Sequence, residues 1–347
     1  MSQLHNNLIE RQHEIAEGQA DILNLPKFTS YTICNLRGGI GKTSLAFNLS
    51  YLTNNILSVD TCPQCNLTWF YDNNYANTNN TTTINDLIIP YFVAGYGFAS
   101  HVAKKISATN KNFENKDAFF IPSDMRLYSL PSQISIALVQ ASLSPQNSQQ
   151  HIMDNMLFSL KKEIEREMKE TKTTKCIIDT SPFFSGATHL ACHASDALIV
   201  PVRTDQQSIN SLELLLYTLT NSSSEFNKFS TSSRHTPKIQ LIILTHCGWS
   251  TVAGAKNWPN QQTKIYIEKI IDIISRYITM FTTDIPENHL LLLDDFLGAG
   301  RMSSAKSKPI ELLNSGDTMV IHRIRTTVNQ SVDKIKNQLH YINNCIW

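Results

Sequence analysis

The stretch LRGGIGKTS (36–44) constrains the fold more than any other part of this chain. It follows YTICN, a short run rich in β-formers that reads as a strand, and leads into TSLAFNLSYL, which reads as a helix. Strand, glycine turn and helix in that order is the context a phosphate-binding loop requires. Gly38, Gly39 and Gly41 let the backbone bend so that its N–H groups converge on phosphate oxygens. The helix N-terminus adds its partial positive charge. Lys42 would reach the β- and γ-phosphates, and the Thr43 hydroxyl would ligate Mg²⁺. The expected nucleotide-binding set is therefore Gly38, Gly39, Ile40, Gly41, Lys42, Thr43 and Ser44. The competing reading is an ordinary glycine turn capping a helix. Two details depart from the plain G-x-x-x-x-G-K-[ST] pattern: Leu36 stands at the first glycine position, and Arg37 puts a cation directly before the paired glycines.

Further apolar runs recur along the chain, including ILSVD (56–60), AFFI (118–121), KCIID (175–179), DALIVPV (196–202), KIQLIILTH (238–246) and HLLLLDDF (289–296). Segments with helical patterns separate them. Strands that are almost wholly apolar and alternate with helices predict an α/β fold, a single doubly wound, mostly parallel sheet with helices on both faces. A helical extension is expected over 1–28, broken by Pro26, ahead of one domain over 29–347. The periodicity predicts one helix over 150–170 and a final helix from about Thr318. The Asn- and Thr-rich stretch 71–83 reads as a solvent loop.

With 41% apolar residues the chain can bury a large core, and a formal net charge of +1 declares no global field for nucleic acid or membrane. Residues 1–225 carry 16 Lys/Arg against 20 Asp/Glu, and residues 226–347 carry 14 against 9, so the last third is mildly basic. No apolar run has membrane-span length, and the polar N-terminus does not read as a signal peptide. Seven scattered cysteines fit a reducing compartment better than a disulfide scaffold, so the expected location is cytoplasmic.

ICNLRGGIGKTSLAFNLS resembles the deviant Walker A segment of the ParA/MinD P-loop ATPases, usually N-x-K-G-G-x-G-K-T-[TS]. Three further segments agree in order. LSVDTCPQCNLT (57–68) is similar to V-D-x-D-P-Q-G-N-x-T, CIIDTSPFF (176–184) to the Walker B I-I-D-T-P-P, and 196–216 to the strand and helix that follow it. The Pro-Gln-x-Asn run points to the ParA branch. The resemblance implies ATP and Mg²⁺ as cofactors, with Asp179 and Thr43 at the metal. It also implies a homodimer that sandwiches two nucleotides, in which the cation at the Arg37 position contacts phosphates bound by the other chain. The alternative for Arg37 is pairing with a local carboxylate. Asp60, Arg37 and Lys42 join the expected catalytic set. So does Cys62, which stands where the family keeps an aspartate associated with the hydrolytic water.

A thiol of ordinary pKa is a poor substitute for that aspartate, so slow hydrolysis is expected. Cys65 replaces the family's glycine, and the CPQC run is either a redox pair or two substitutions that happen to share this spacing. His246 and Trp249 follow the strand that in this family leads to the adenine. Arg234, Lys238, Lys256, Lys264, Lys269 and Arg276 are candidates for the nonspecific DNA face of ParA proteins, or are scattered surface charge. Val332, Ile335, Leu339 and Ile342 form a C-terminal stripe, suited to docking on the parent domain more than to a membrane. The function implied is an ATP-dependent dimerisation switch, nucleoid-associated, that partitions plasmid or chromosomal DNA with a ParB-like or centromere-binding adaptor. The alternative is a hydrolysis-deficient, nucleotide-gated scaffold or MinD-like regulator.

Overall fold

The computed structural model describes residues 3–75, 81–183, 186–228, 236–250, 257–321 and 323–347. Its centre is an eight-stranded sheet of β1 (Ser30–Ile33), β2 (Ile56–Asp60), β3 (Lys104–Lys105), β4 (Ala118–Ile121), β5 (Lys175–Asp179), β6 (Ala197–Arg203), β7 (Lys238–Cys247) and β8 (Leu290–Asp294). The strands lie in the order β3-β4-β2-β5-β1-β6-β7-β8. All neighbours pair in parallel except the short β3, which runs antiparallel to β4. The expected mostly parallel, doubly wound sheet is the observed one.

Successive strand residues point to opposite faces, and both faces are dry. Tyr31, Ile33, Ile177, Ile199, Leu241 and Leu291 bury one face under α2 (Lys42–Leu52), α3 (Asn66–Tyr71) and the C-terminal elements. Leu198, Val200, Ile242 and Leu290 bury the other under α9 (Gln206–Thr220) and α11 (Gln261–Arg276). Farther along that face, Leu57, Val59 and Ile178 pack with α4 (Ile84–Ile88), α5 (Leu130–Ser142), α6 (Gln146–Leu157), α7 (Ser159–Thr171) and α8 (Ala187–Ala194). The short α10 (Glu225–Lys228) follows α9.

The first helix, α1 (Gln3–Glu17), sits at the open edge of the sheet. Gln12 uses its amide as a strand would, accepting from the Leu292 N–H and donating to the Leu290 carbonyl. That side chain satisfies backbone groups an edge strand leaves free. The helix ends at Gly18, whose φ of 74° is left-handed, well before Pro26.

Three expectations are corrected. The chain from Thr318 forms a hairpin, β9 (Thr318–Ile321) and β10 (Ile324–Thr327), and only α13 (Val332–Ile346) is helical. The run is rich in β-branched residues, which pack better on a pleated ribbon than on a helix. Helix 150–170 is broken at Phe158, which caps α6 and α7 with non-helical angles. The stretch 71–83 is no simple solvent loop: Tyr71 is buried and donates to or accepts from Ser50 and Ser58, and Thr83 caps α4 reciprocally with Asp86. Residues 76–80 of it lie outside the described residues.

After the hairpin, α13 docks on the domain. Val332, Ile335, Leu339 and Ile342 all enter the core beside α2, between them closing the sheet face that α12 (Leu297–Lys306) covers only in part. No helix among the described residues is long and apolar enough to cross a membrane.

Candidate nucleotide site

The strand order turns at β1: β2 and β4 lie to one side, reached through β5, and β6, β7 and β8 to the other. Ligand sites in open α/β sheets form at the carboxyl ends of strands at such a point. The glycine loop lies there. Gly39 and Gly41 have φ of 70° and 91°, which a residue with a Cβ adopts only under strain, and Gly41 caps α2. Asn35 fixes the loop from below. Its amide donates to the Pro201 carbonyl, while its oxygen accepts from the Arg37 N–H and the Ser211 hydroxyl.

A cavity of about 230 Å³ opens above the loop, lined by Gly38 to Ser44 together with Cys62, Gln64, Asn66, Thr180 and Pro182. Lys42 arches back over the loop and donates to the carbonyls of Asn35 (3.1 Å) and Arg37 (2.8 Å). Burial lowers its ammonium pKa from the ordinary value, against the opposing charge of Asp179.

Behind the loop the Thr43 hydroxyl donates to Asp179 Oδ2 at 2.7 Å. Asp179 Oδ1 is buried and has no hydrogen-bond partner among the described residues. A hydroxyl and a dry carboxylate oxygen side by side fit a hard divalent cation such as Mg²⁺, which takes one or two protein oxygens and completes its shell with water and phosphate. Such a cation would anchor the terminal phosphates against Thr43. Burial, then the nearby Asp60 charge, push the Asp179 carboxyl up to about 7, with the Thr43 bond and Lys42 opposing.

Asp60 pairs in register with Asp179 across β2 and β5 but does not line the cavity. It accepts from the Cys62 N–H (3.0 Å) and from the Thr68 N–H and hydroxyl (both 2.8 Å). Those bonds tie the 61–68 loop to the start of α3, and burial holds the carboxyl up at about 6. Asp60 thus positions the loop that presents Cys62. The Cys62 thiol is buried in the cavity wall and pushed up to about 12 by burial and by Asp60. Cys65 is free, like all seven cysteines. Its φ of 55° explains why the family pattern has glycine there, and burial pushes its thiol up to about 12 as well.

Arg37 turns away from this cavity. It pairs with Asp205 and donates to the Ser208 hydroxyl at 2.8 Å, at the N-terminus of α9. It lines an adjacent opening of about 690 Å³ with Arg203, Gln207, Gln262 and Asp295. The local carboxylate is therefore its partner in this structure.

On the other side of the loop lies a cavity of about 430 Å³, sharing Gly39, Ile40, Gly41 and Ser44 and lined further by His246, Asp295, Phe296, Leu297 and Arg301. His246 is where the sequence reading expects the base. Burial lowers its pKa from the ordinary value, so the ring is neutral at neutral pH. Trp249 is engaged elsewhere: its indole N–H donates to Asp294, and the Lys334 ammonium sits 4.0 Å from its ring centroid. Phe296, Asp295 and Arg301 are the residues sequence reasoning missed, and the available signal was the strand HLLLLDDF ending beside His246.

Of the expected DNA set, Arg234 and Lys256 lie outside the described residues. Lys264 and Lys269 share α11, where Lys269 donates to Gln206 of α9. Arg276 is paired with Glu213 and Asp272. Lys238 begins β7, at the opposite end of that strand from His246.

A glycine loop joining a parallel strand to a helix, at the point where strand order turns, defines the P-loop class of nucleotide-binding folds. Residues 29–230 match the AAA domain family (AAA_31), and the chain belongs to it, within the ParA/MinD group of P-loop proteins. No curated protein matches the chain. Among solved structures, a variant of McdA from Cyanothece in complex with ATP is similar at 18% identity and TM-score 0.57, covering 82% of this chain and 89% of its own. Apo McdA matches at 18% identity and TM-score 0.54, covering 81% and 91%. A plasmid partition protein from Borrelia burgdorferi B31 bound to AMPPNP matches at 16% identity and TM-score 0.52, covering 91% and 98%. At these identities the likeness is one of fold.

Proposed function

We propose that the chain is a ParA-type switch: it binds ATP with Mg²⁺, dimerises with two nucleotides sandwiched between two copies, and binds DNA without sequence preference. Its cargo is a plasmid or chromosomal element, and a ParB-like adaptor triggers release. The observation that carries this reading is the glycine-lined cavity with the Thr43–Asp179 pair behind it, which suits a nucleotide and its Mg²⁺. Arg37, before the paired glycines, does not line that cavity and is held locally by Asp205 and Ser208, so a contact in trans requires it to leave Asp205. An arginine there can fork onto two phosphate oxygens of a nucleotide brought by another chain. Support also comes from ATP and AMPPNP in the McdA and Borrelia structures.

Light scattering behind size exclusion tests the switch. Wild type with ATP and Mg²⁺ is expected to dimerise and to remain monomeric with ADP. Arg37→Ala should bind nucleotide yet stay monomeric, whereas Lys42→Ala should lose nucleotide affinity itself. Dimerisation of Arg37→Ala at the wild-type ATP concentration rules out the contact in trans. Cys62 supports a slow form of the cycle, in which the closed state is long-lived and the chain acts more as a gate than as a turnover enzyme.

A further inference from the structure

We propose that the exposed face of α5 is a contact surface for a second copy of this chain. Met125, Tyr128, Ile136, Val139 and Leu143 are each more than half exposed. Ser132, Ile136 and Val139 follow three- and four-residue steps, so they share one side of α5, with Leu143 just past its end and Met125 and Tyr128 in the 3-10 turn that precedes it. The opposite side, with Leu130, Ile134, Leu138 and Ala141, is already buried in the domain. An amphipathic surface helix should be polar on that outer side; this one sets Ile136 and Val139 there among uncharged Ser132, Ser135 and Gln140.

The face also lacks charge. Between Arg126 and Asp154 the chain carries no Asp, Glu, Lys or Arg. Contact cores between proteins are depleted of charge and enriched in aromatics and Met. The absence of charge argues for a particular occupant. Across a two-fold axis a surface meets itself, so any charged residue near the axis meets its own sign. A neutral apolar stripe is what such a contact tolerates. An anionic membrane would favour a basic rim, which this stretch does not have.

The stripe is continuous with the nucleotide face, and this step rests on the dimer proposed above. Pro131, in the first turn of α5, packs against Gly186, where an added Cβ would come within 2.9 Å of the Pro131 ring. A few residues before Gly186 in the chain, Thr180 and Pro182 wall the candidate phosphate cavity, and Phe183 is exposed. Two chains drawn together over their nucleotides therefore bring Thr180 to Phe183, and the stripe that begins beside Gly186, toward the partner.

The test compares wild type, Arg37→Ala, Ile136→Lys/Val139→Lys and the milder Ile136→Ser/Val139→Ser by light scattering, each without nucleotide and with ATP and Mg²⁺. Unchanged melting temperature and fluorescent-nucleotide binding establish that the α5 variants are folded, as their exposure leads one to expect. The lysine pair should weaken self-association about tenfold or more through like charges meeting across the axis, and the serine pair by less. Loss of the dimer in both Arg37→Ala and the lysine pair supports both contacts. Loss in the lysine pair alone supports the α5 surface and overturns the phosphate contact in trans. Loss in Arg37→Ala alone overturns the α5 inference and leaves the sandwich standing. A wild type that stays monomeric throughout overturns both. Vesicle flotation that depends on the α5 residues, with self-association unaffected, assigns the face to a membrane and likewise overturns the inference.

Discussion

At the residue scale the candidate phosphate site has a set of groups suited to binding and lacks the acid that the proposed cycle would use for turnover. Lys42, Thr43 and Asp179 are all in place, but the wall where a water-positioning acid would be expected holds Cys62, whose thiol is pushed up to about 12. A thiol that stays protonated at neutral pH neither orients nor deprotonates water well. Turnover should therefore be slow, and Cys62→Asp should raise it by about 10²–10⁴-fold, the usual contribution of a positioned acid–base group. Cys65→Gly in the same chain would relieve the left-handed backbone and recover any remainder, since φ near 55° costs a residue with a Cβ about 1 kcal/mol or more. A phosphate-release assay with Mg²⁺ and DNA decides: an ordinary family rate in wild type, unchanged by Cys62→Asp, removes the slow-cycle reading.

The same site sets a pH dependence. Asp179, held up at about 7 by burial and by Asp60, binds its proton more tightly folded than unfolded, where its carboxyl has the ordinary value near 3.8. The native state therefore carries the extra proton between about 4 and about 7, and stability of the nucleotide-free chain should fall as pH rises through that window. Asp60, held up at about 6, contributes over part of the same window, so Asp179→Asn should reduce the trend in melting temperature and leave the share of Asp60. A divalent cation needs the ionised carboxylate, so Mg²⁺ affinity should run the other way, tightening with pH. Equal slopes in wild type and Asp179→Asn would locate the titration elsewhere.

At the scale of elements, what the sequence disclosed follows from how each element is buried. Strands covered on both faces are mostly apolar, so β2, β5, β6, β7 and β8 stand out as runs despite buried polar residues such as Ser58 and Gln240, and the glycine loop stands out by residue type alone. The edges were harder to read. The hairpin β9–β10 presents Val320 and Ile324 to solvent, so its pattern lacks the one-sided alternation that marks a strand packed on a core. The break at Phe158 is carried by backbone angles rather than by Gly or Pro, so the charged outer face of α7 runs on from α6 without a visible stop. Within the site, the loop motif was legible because its residues are consecutive. Asp205 was not, because it meets Arg37 across some 168 residues of chain and is an ordinary helix-capping aspartate in sequence. Phe296 and Asp295 were missed for the same reason: they reach the cavity beside His246 only because β8 lies beside β7. The C-terminal stripe was read correctly as a docking face, and the structure adds its anchor, Lys334 paired with Asp294 at 2.6 Å and stacked over Trp249.

At the scale of the whole molecule, the proposed role asks a chain with a net charge of +1 to hold DNA. The α11 cations are few. Lys269 is exposed and bonded to Gln206, Lys264 is half-buried, and Arg276 is already balanced by Glu213 and Asp272. Two or three phosphate contacts give only weak binding at physiological salt, because each contributes through the release of about one counterion. Joining two copies doubles the contacts, and the salt slope doubles with them. ATP-driven dimerisation is thus what would turn an almost neutral protein into a DNA binder, with no change needed in either surface. Nonspecific binding should therefore require ATP, and the slope of log K against log salt should approach about −0.9 for each phosphate contacted by the dimer. Lys264→Glu with Lys269→Glu should weaken binding alike for every sequence and make that slope shallower, while leaving ATP-driven dimerisation intact. Fluorescence anisotropy on unrelated duplexes, run over a salt series with and without ATP, measures all three quantities. Equal affinity in the nucleotide-free and ATP states would mean that a single chain already carries the whole DNA surface, and that dimerisation serves the cargo or its adaptor instead.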